Sequence, residues 1–145
     1  MPLERGYREL EHTADAYIEA YGPTLEAAFE EAAKALFNVM IFIEKVEPKQ
    51  EDKFTIEAED KEALLMDWLS ELLFRFMADG IAYRDFKIEK IEKTDEGYRL
   101  KAKAYGEPFI LEKHGYKTEV KAVTYYRMEI IEGKDQCKVR FVLDL

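Results

Sequence analysis

The chain lacks most of what would place a protein outside a reducing compartment or inside a membrane. Its 145 residues include one cysteine, Cys137, which excludes an intramolecular disulfide. No apolar run approaches the roughly 20 residues that a bilayer-spanning helix needs. Met1-Pro2-Leu3-Glu4-Arg5 lacks the apolar segment of a signal peptide, so the expected location is cytoplasmic. Basic residues are the minority: 22 Lys and Arg against 31 Asp and Glu leave a net charge of −9. That balance argues against a protein whose main affinity comes from wrapping polyanionic phosphate backbones. Asparagine occurs only at Asn38 and glutamine only at Gln50 and Gln136, whereas Lys and Glu abound, the bias associated with hyperthermophiles. Also missing are a phosphate-cradling glycine loop, a Cys-x-x-Cys pair, a Gly-x-Ser-x-Gly elbow and a His-Glu-x-x-His helix, so nucleotide hydrolysis, zinc and serine-hydrolase chemistry have no motif.

What is present reads as one domain over residues 1–145, long enough to bury about two-thirds of the surface its unfolded chain exposes. Pro23-Thr24 opens a helix with a capping residue type, and Leu25, Ala28, Phe29, Ala32, Ala33, Leu36, Phe37 and Met40 recur at the spacing of one buried face. Glu26, Glu30 and Glu31 are expected to face water. A second helix starts near Asp60, carries Leu64, Leu65, Trp68, Leu69, Leu72, Leu73 and Phe76 on a broad stripe, and stops at Asp79-Gly80. Trp68 is expected in the core.

Alternating apolar residues mark strands at Phe54-Ile56-Ala58, Phe86-Ile88, Tyr98 to Ala104, Val120 to Ile130 and Cys137 to Leu143. Thr94-Asp95-Glu96-Gly97 and Glu132-Gly133-Lys134-Asp135 read as hairpin loops, which favour antiparallel pairing. Gly106 to Gly115 reads as an irregular excursion with one short strand at Phe109-Ile110-Leu111, and His114 as a loop residue. The expected class is α+β: a single, mostly antiparallel sheet with two amphipathic helices packed on one face. Cys137 is expected to be a small core residue.

Chemistry-bearing residues gather at the two ends of the chain. Asp144 and Leu145 follow an alternating strand, and His12-Thr13-Ala14-Asp15 lies near the start. Asp15, Asp144 and the terminal carboxylate of Leu145 form a candidate hard-oxygen set for calcium or magnesium. His12 is a candidate fourth ligand or a donor to a ligand. Taken singly, each residue also has a plainer reading: Asp15 capping a turn, Asp144 as a solvated charge, His12 as a hydrogen-bonded strand-end residue. Lys121 alternates outward, where a solvated lysine is the default and contact with an acidic or phosphate group is the functional reading.

His12-Thr13-Ala14-Asp15, the Leu64 to Leu73 helix, Glu119-Val120-Lys121-Ala122-Val123-Thr124-Tyr125 and Val142-Leu143-Asp144-Leu145 together resemble the archease family across almost the whole chain. The resemblance implies an α+β module related to strand-helix-strand-strand domains. It also implies an accessory protein, not an enzyme, that promotes guanylylation and multiple turnover of the RtcB-type RNA ligase of tRNA splicing, with RNA contact indirect. It places metal-binding carboxylates on Asp15 and Asp144, the terminal residue at the metal on Leu145, and the motif lysine on Lys121. Tyr126 departs from the histidine that relatives commonly carry after Ala-Val-Thr-Tyr. Two alternatives accompany this expectation. One is a chaperone-like modulator of a tRNA methyltransferase, and the other a free-standing metal-dependent phosphoesterase using His12 as general acid or base.

Overall fold

The structure is a computed structural model that describes residues 4–12 and 15–145. Its elements in chain order are β1 (Gly6–His12), β2 (Ala16–Gly22), α1 (Leu25–Met40), a 3-10 turn (Ile43–Lys45), β3 (Gln50–Ala58), α2 (Lys61–Asp79), β4 (Ile81–Thr94), β5 (Gly97–Pro108), the single-turn α3 (Leu111–His114), β6 (Ala122–Glu132) and β7 (Cys137–Asp144).

Local chemistry sets the helix ends. The Thr24 hydroxyl accepts the Ala27 N–H at 3.1 Å and the Asp60 carboxylate accepts the Ala63 N–H at 2.7 Å, each satisfying a donor the first turn leaves open. Gly80 closes α2 in the left-handed region at φ 66°, where a side chain would be strained.

The α+β class and the antiparallel pairing hold, but the strands divide between two sheets. β1-β2-β7-β6 form one of four strands and β3-β5-β4 one of three. Both helices pack against both sheets: α1 meets β2, β7 and β4, and α2 meets β6 and β3. Alternation states which side of a strand is buried but not which strand it pairs with, so a single sheet with one covered face was the simplest expectation. The burial of α1 is the clearest sign of the difference. Ala27, Ala28, Ala32, Ala35 and Phe37 are all buried, so apolar contact surrounds most of its circumference.

Glu30 and Glu31 are correspondingly buried, contrary to the expectation that they face water. Arg5 spans them, at 2.8 Å to Glu30 and 2.5 Å to Glu31, and Glu30 also accepts the Ile88 N–H at 2.8 Å. Their charges are paired as burial requires. Trp68 has no exposed surface, donates its indole N–H to the Phe29 carbonyl at 3.2 Å, and meets Phe54 and Phe86 edge-on. Cys137 is buried, and that burial pushes its thiol pKa up.

The excursion after β5 contains no strand; it turns through α3 instead. His114, expected in a loop, ends α3 and is fully buried. Its Nδ1 accepts the Ile110 N–H at 2.9 Å, so Nε2 carries the ring proton and donates to Glu107 at 2.8 Å. Glu107 also accepts the Glu47 N–H at 2.9 Å and pairs with Lys113. The Lys113 ammonium first, then that N–H and His114, hold the Glu107 carboxyl down to about 2.

Candidate functional site

The end of the four-stranded sheet is built by register. Ala16 of β2 pairs with Leu143 of β7, so Asp15 and Asp144 each lie one residue beyond the same cross-strand pair. The Leu145 backbone N–H donates to Asp15 Oδ1 at 3.4 Å, linking positions 130 residues apart. On the other side of β7, Ala122 of β6 pairs with Asp144, and the Lys121 N–H donates to the Asp144 carbonyl at 2.7 Å. Asp15, Asp144, Leu145 and Lys121 therefore converge at one end of three adjacent strands.

Packing holds these residues in place. Leu143 and Ala16 are buried, and Leu145 packs against the core, so the last residue is anchored by apolar contact as well as by its hydrogen bond. Asp15 and Asp144 are half-buried, and Lys121 is exposed. His12 closes β1 opposite Ala16, which brings its backbone to the same sheet end. Its side chain lies outside the described residues, as do Thr13 and Ala14.

The outer face beside this end carries features that alternation alone did not reveal. Arg8, Glu19, Arg140 and Glu129 stand in cross-strand register over all four strands, with ion pairs of 3.1, 2.9 and 3.5 Å. Next to that row, β6 departs from the ladder. Thr124 pairs with Val142 and Glu129 with Arg140, so Tyr125, Tyr126, Arg127 and Met128 stand against Phe141 alone. Arg127 adopts φ 58° and lies over the Tyr17 ring at 4.1 Å to its centroid. A non-glycine residue in that region is uncommon, and no sequence period signals it. Tyr126, at the departure from the archease-like motif, is 70% exposed.

The donor chemistry fits a hard cation. Asp15 and Asp144 offer carboxylate oxygens, the donor class that hard cations take. Among the described residues, no group of three or more His, Cys, Asp or Glu side chains is placed to hold a metal ion. Two aspartates could offer at most part of the six to eight oxygens that calcium takes, or of the octahedron that magnesium takes.

Comparison with known proteins adds a family-level match. Residues 7–145 match the model of the Archease protein family (MTH1598/TM1083). The archease of Pyrococcus abyssi is 51% identical over 124 residues, which cover 86% of this chain and 87% of that protein. The solution structure of Methanobacterium thermoautotrophicum protein 1598 superposes with a TM-score of 0.81 at 42% identity, covering 97% of this chain and 99% of that one. The crystal structure of a Thermotoga maritima archease, described as a possible chaperone, superposes with a TM-score of 0.62 at 22% identity, covering 95% and 96%, and supports the fold alone.

Proposed function

Since this chain belongs to the archease family, we propose that it is an accessory protein that activates an RtcB-type tRNA-splicing RNA ligase, promoting guanylylation and multiple turnover, and does not itself join RNA. Asp15, Asp144 and Leu145 hold a divalent cation, calcium or magnesium, at the end of the four-stranded sheet. His12 supports that ion, and Lys121 reaches the ligase or its nucleotide. When bound, the cation supplies positive charge that stabilises developing negative charge on phosphoryl oxygens. The protein's own residues orient that edge and keep it from fraying.

The observation that carries this reading is the meeting of Asp15 with Leu145, beside Asp144 and Lys121, at one anchored strand end. An edge with two side-chain carboxylates leaves coordination positions open for water, nucleotide or partner oxygens. That suits a module that completes another protein's centre better than a self-sufficient phosphoesterase, which needs convergent polar groups of its own. A net charge of −9 complements a basic, RNA-binding partner and favours rapid encounter with it.

The test is ligation by an RtcB-type ligase at substoichiometric concentration, with and without this protein. Turnover beyond one equivalent only in its presence supports the reading. Equal turnover in both reactions excludes it.

A further inference from the structure

The three-stranded sheet turns one face to solvent, and its rows follow from the strand register. At one end, Glu57, Arg99 and Glu92 alternate in sign, with Arg99 3.1 Å from Glu57 and 3.8 Å from Glu92. The four-stranded sheet does the same with Arg8, Glu19, Arg140 and Glu129. Opposite charges facing each other across strands stabilise a sheet, and like charges destabilise it.

The middle of the three-stranded sheet breaks that rule. Lys53, Lys103 and Lys87 face one another directly across all three strands, and in the next row Lys101 faces Lys90, with Thr55 on its other side. Five ammonium groups thus fill two adjacent rows. Lys103 has Glu51 and Glu89 at 3.8 Å, and Lys90 has Glu92 at 3.1 Å. Among the described residues no carboxylate pairs with Lys53, Lys87 or Lys101, and all three are exposed. Strands lie about 4.8 Å apart across the sheet and every second residue about 6.8 Å apart along it, so the five lysines form a compact band, bordered by Glu51 and Asp85 in the row on one side, by Glu57 and Glu92 on the other, and by Glu89 beside Lys103. In a chain of net charge −9 such a band is a local reversal of sign that the overall balance conceals.

We infer that this band is a docking surface for the sugar-phosphate backbone of a single-stranded nucleic acid. Charge complementarity selects an anionic polymer. The residue type selects phosphate over carboxylate: the band holds lysines and no arginine, and lysine acts as a point charge on phosphate, whereas bidentate carboxylate recognition favours the arginine fork. Tyr105, half-buried on the same face one row further on between Glu51 and Asp85, offers a ring for a base to stack on at the border of the band. The acidic surface elsewhere repels the polymer, so contact is confined to the band, weak and without sequence preference. The contact is direct, whereas whole-chain charge alone suggests that any RNA contact passes through a partner.

The experiment is fluorescence anisotropy of labelled 20-mer oligo(U), oligo(dT) and a duplex against the full chain, titrated with KCl, with poly-glutamate as competitor and as a labelled probe. With three to five phosphates neutralised, log K should fall against log salt with a slope of about −2 to −3.5 for the single strands. The triple variant Lys53→Gln/Lys87→Gln/Lys101→Gln should melt no lower than the parent, because it relieves like-charge neighbours. It should lose at least about tenfold in affinity at low salt, with a slope shallower by about 2. Each single substitution should reduce the slope by about 0.7, which keeps the test valid if the triple variant melts early. Lys45→Gln/Lys134→Gln/Lys138→Gln, away from the band, should bind like the parent. Equal loss in that control, unchanged binding by the triple and single variants, preferential binding of poly-glutamate, or no binding of any oligonucleotide at low salt would each overturn the inference.

Discussion

Asp15 Oδ1 accepts the Leu145 backbone N–H at 3.4 Å. That contact joins the residue just before β2 to Leu145, one residue beyond the end of β7. Because β2 and β7 are central neighbours in their sheet, the relationship is carried by a continuous ladder from Gly22↔Cys137 to Ala16↔Leu143. Folding of the core therefore positions the edge.

Trp68→Ala should cost about 3–5 kcal/mol, because it opens a cavity among Phe54, Phe86 and α1 and leaves the Phe29 carbonyl without its indole donor. Thermal melting should drop on the order of 10 °C. Activation per folded molecule should be unchanged at a temperature where the variant is native. A variant that melts like the parent yet fails to activate would make α2 an interface and not a core element.

Much of this architecture could be read from residues alone. Thr24, Asp60 and Gly80 announced both helices because capping is a local matter of one side chain and the nearest N–H groups. The division into two sheets was not legible, since β3 finds β5 and β2 finds β7 through contacts far apart in sequence. Glu30 and Glu31 misled because a charge on a helix predicts solvent unless its partner is known, and Arg5 lies outside the helix. His114 was hidden for a similar reason: its carboxylate partner, Glu107, belongs to β5. Asp15, Asp144, Leu145 and Lys121 stood out through their resemblance to a family motif. Their meeting at one sheet end required the register.

The Glu107 cluster gives a pH dependence with a definite sign. A carboxyl held down to about 2 from an ordinary value of 4.5 contributes stability that is complete above about 4.5 and is lost as pH falls through about 2. Glu47, lowered by the same Lys113 ammonium, titrates in the same direction. Hydrogen-exchange protection at Phe109 to Tyr116, taken relative to the intrinsic exchange rate at each pH, should therefore fall on acidification between about pH 4.5 and 2. Glu107→Gln should flatten that dependence. An equally steep profile in Glu107→Gln would assign the acid sensitivity to other groups.

Lys121→Ala should change stability by no more than about 0.5 kcal/mol, because the side chain is exposed and the bond to the Asp144 carbonyl comes from the backbone N–H, which the substitution keeps. Cation affinity should be retained while activation weakens. Calorimetric titration with calcium and magnesium, run alongside turnover assays, separates the two effects. Full activation by the variant would remove Lys121 from the proposed contact.

The central claim is tested most directly by multiple-turnover ligation at a fixed low concentration of an RtcB-type ligase, comparing the parent with Asp144→Ala, with thermal melting as the control for folding. Asp144 is half-buried at the end of β7, and the Lys121 N–H is held by its backbone carbonyl, which the substitution keeps. The variant should melt within a few degrees of the parent, bind calcium or magnesium at least about tenfold more weakly after losing one of few anionic ligands, and leave the ligase at a single turnover. Full activation by folded Asp144→Ala would contradict the claim.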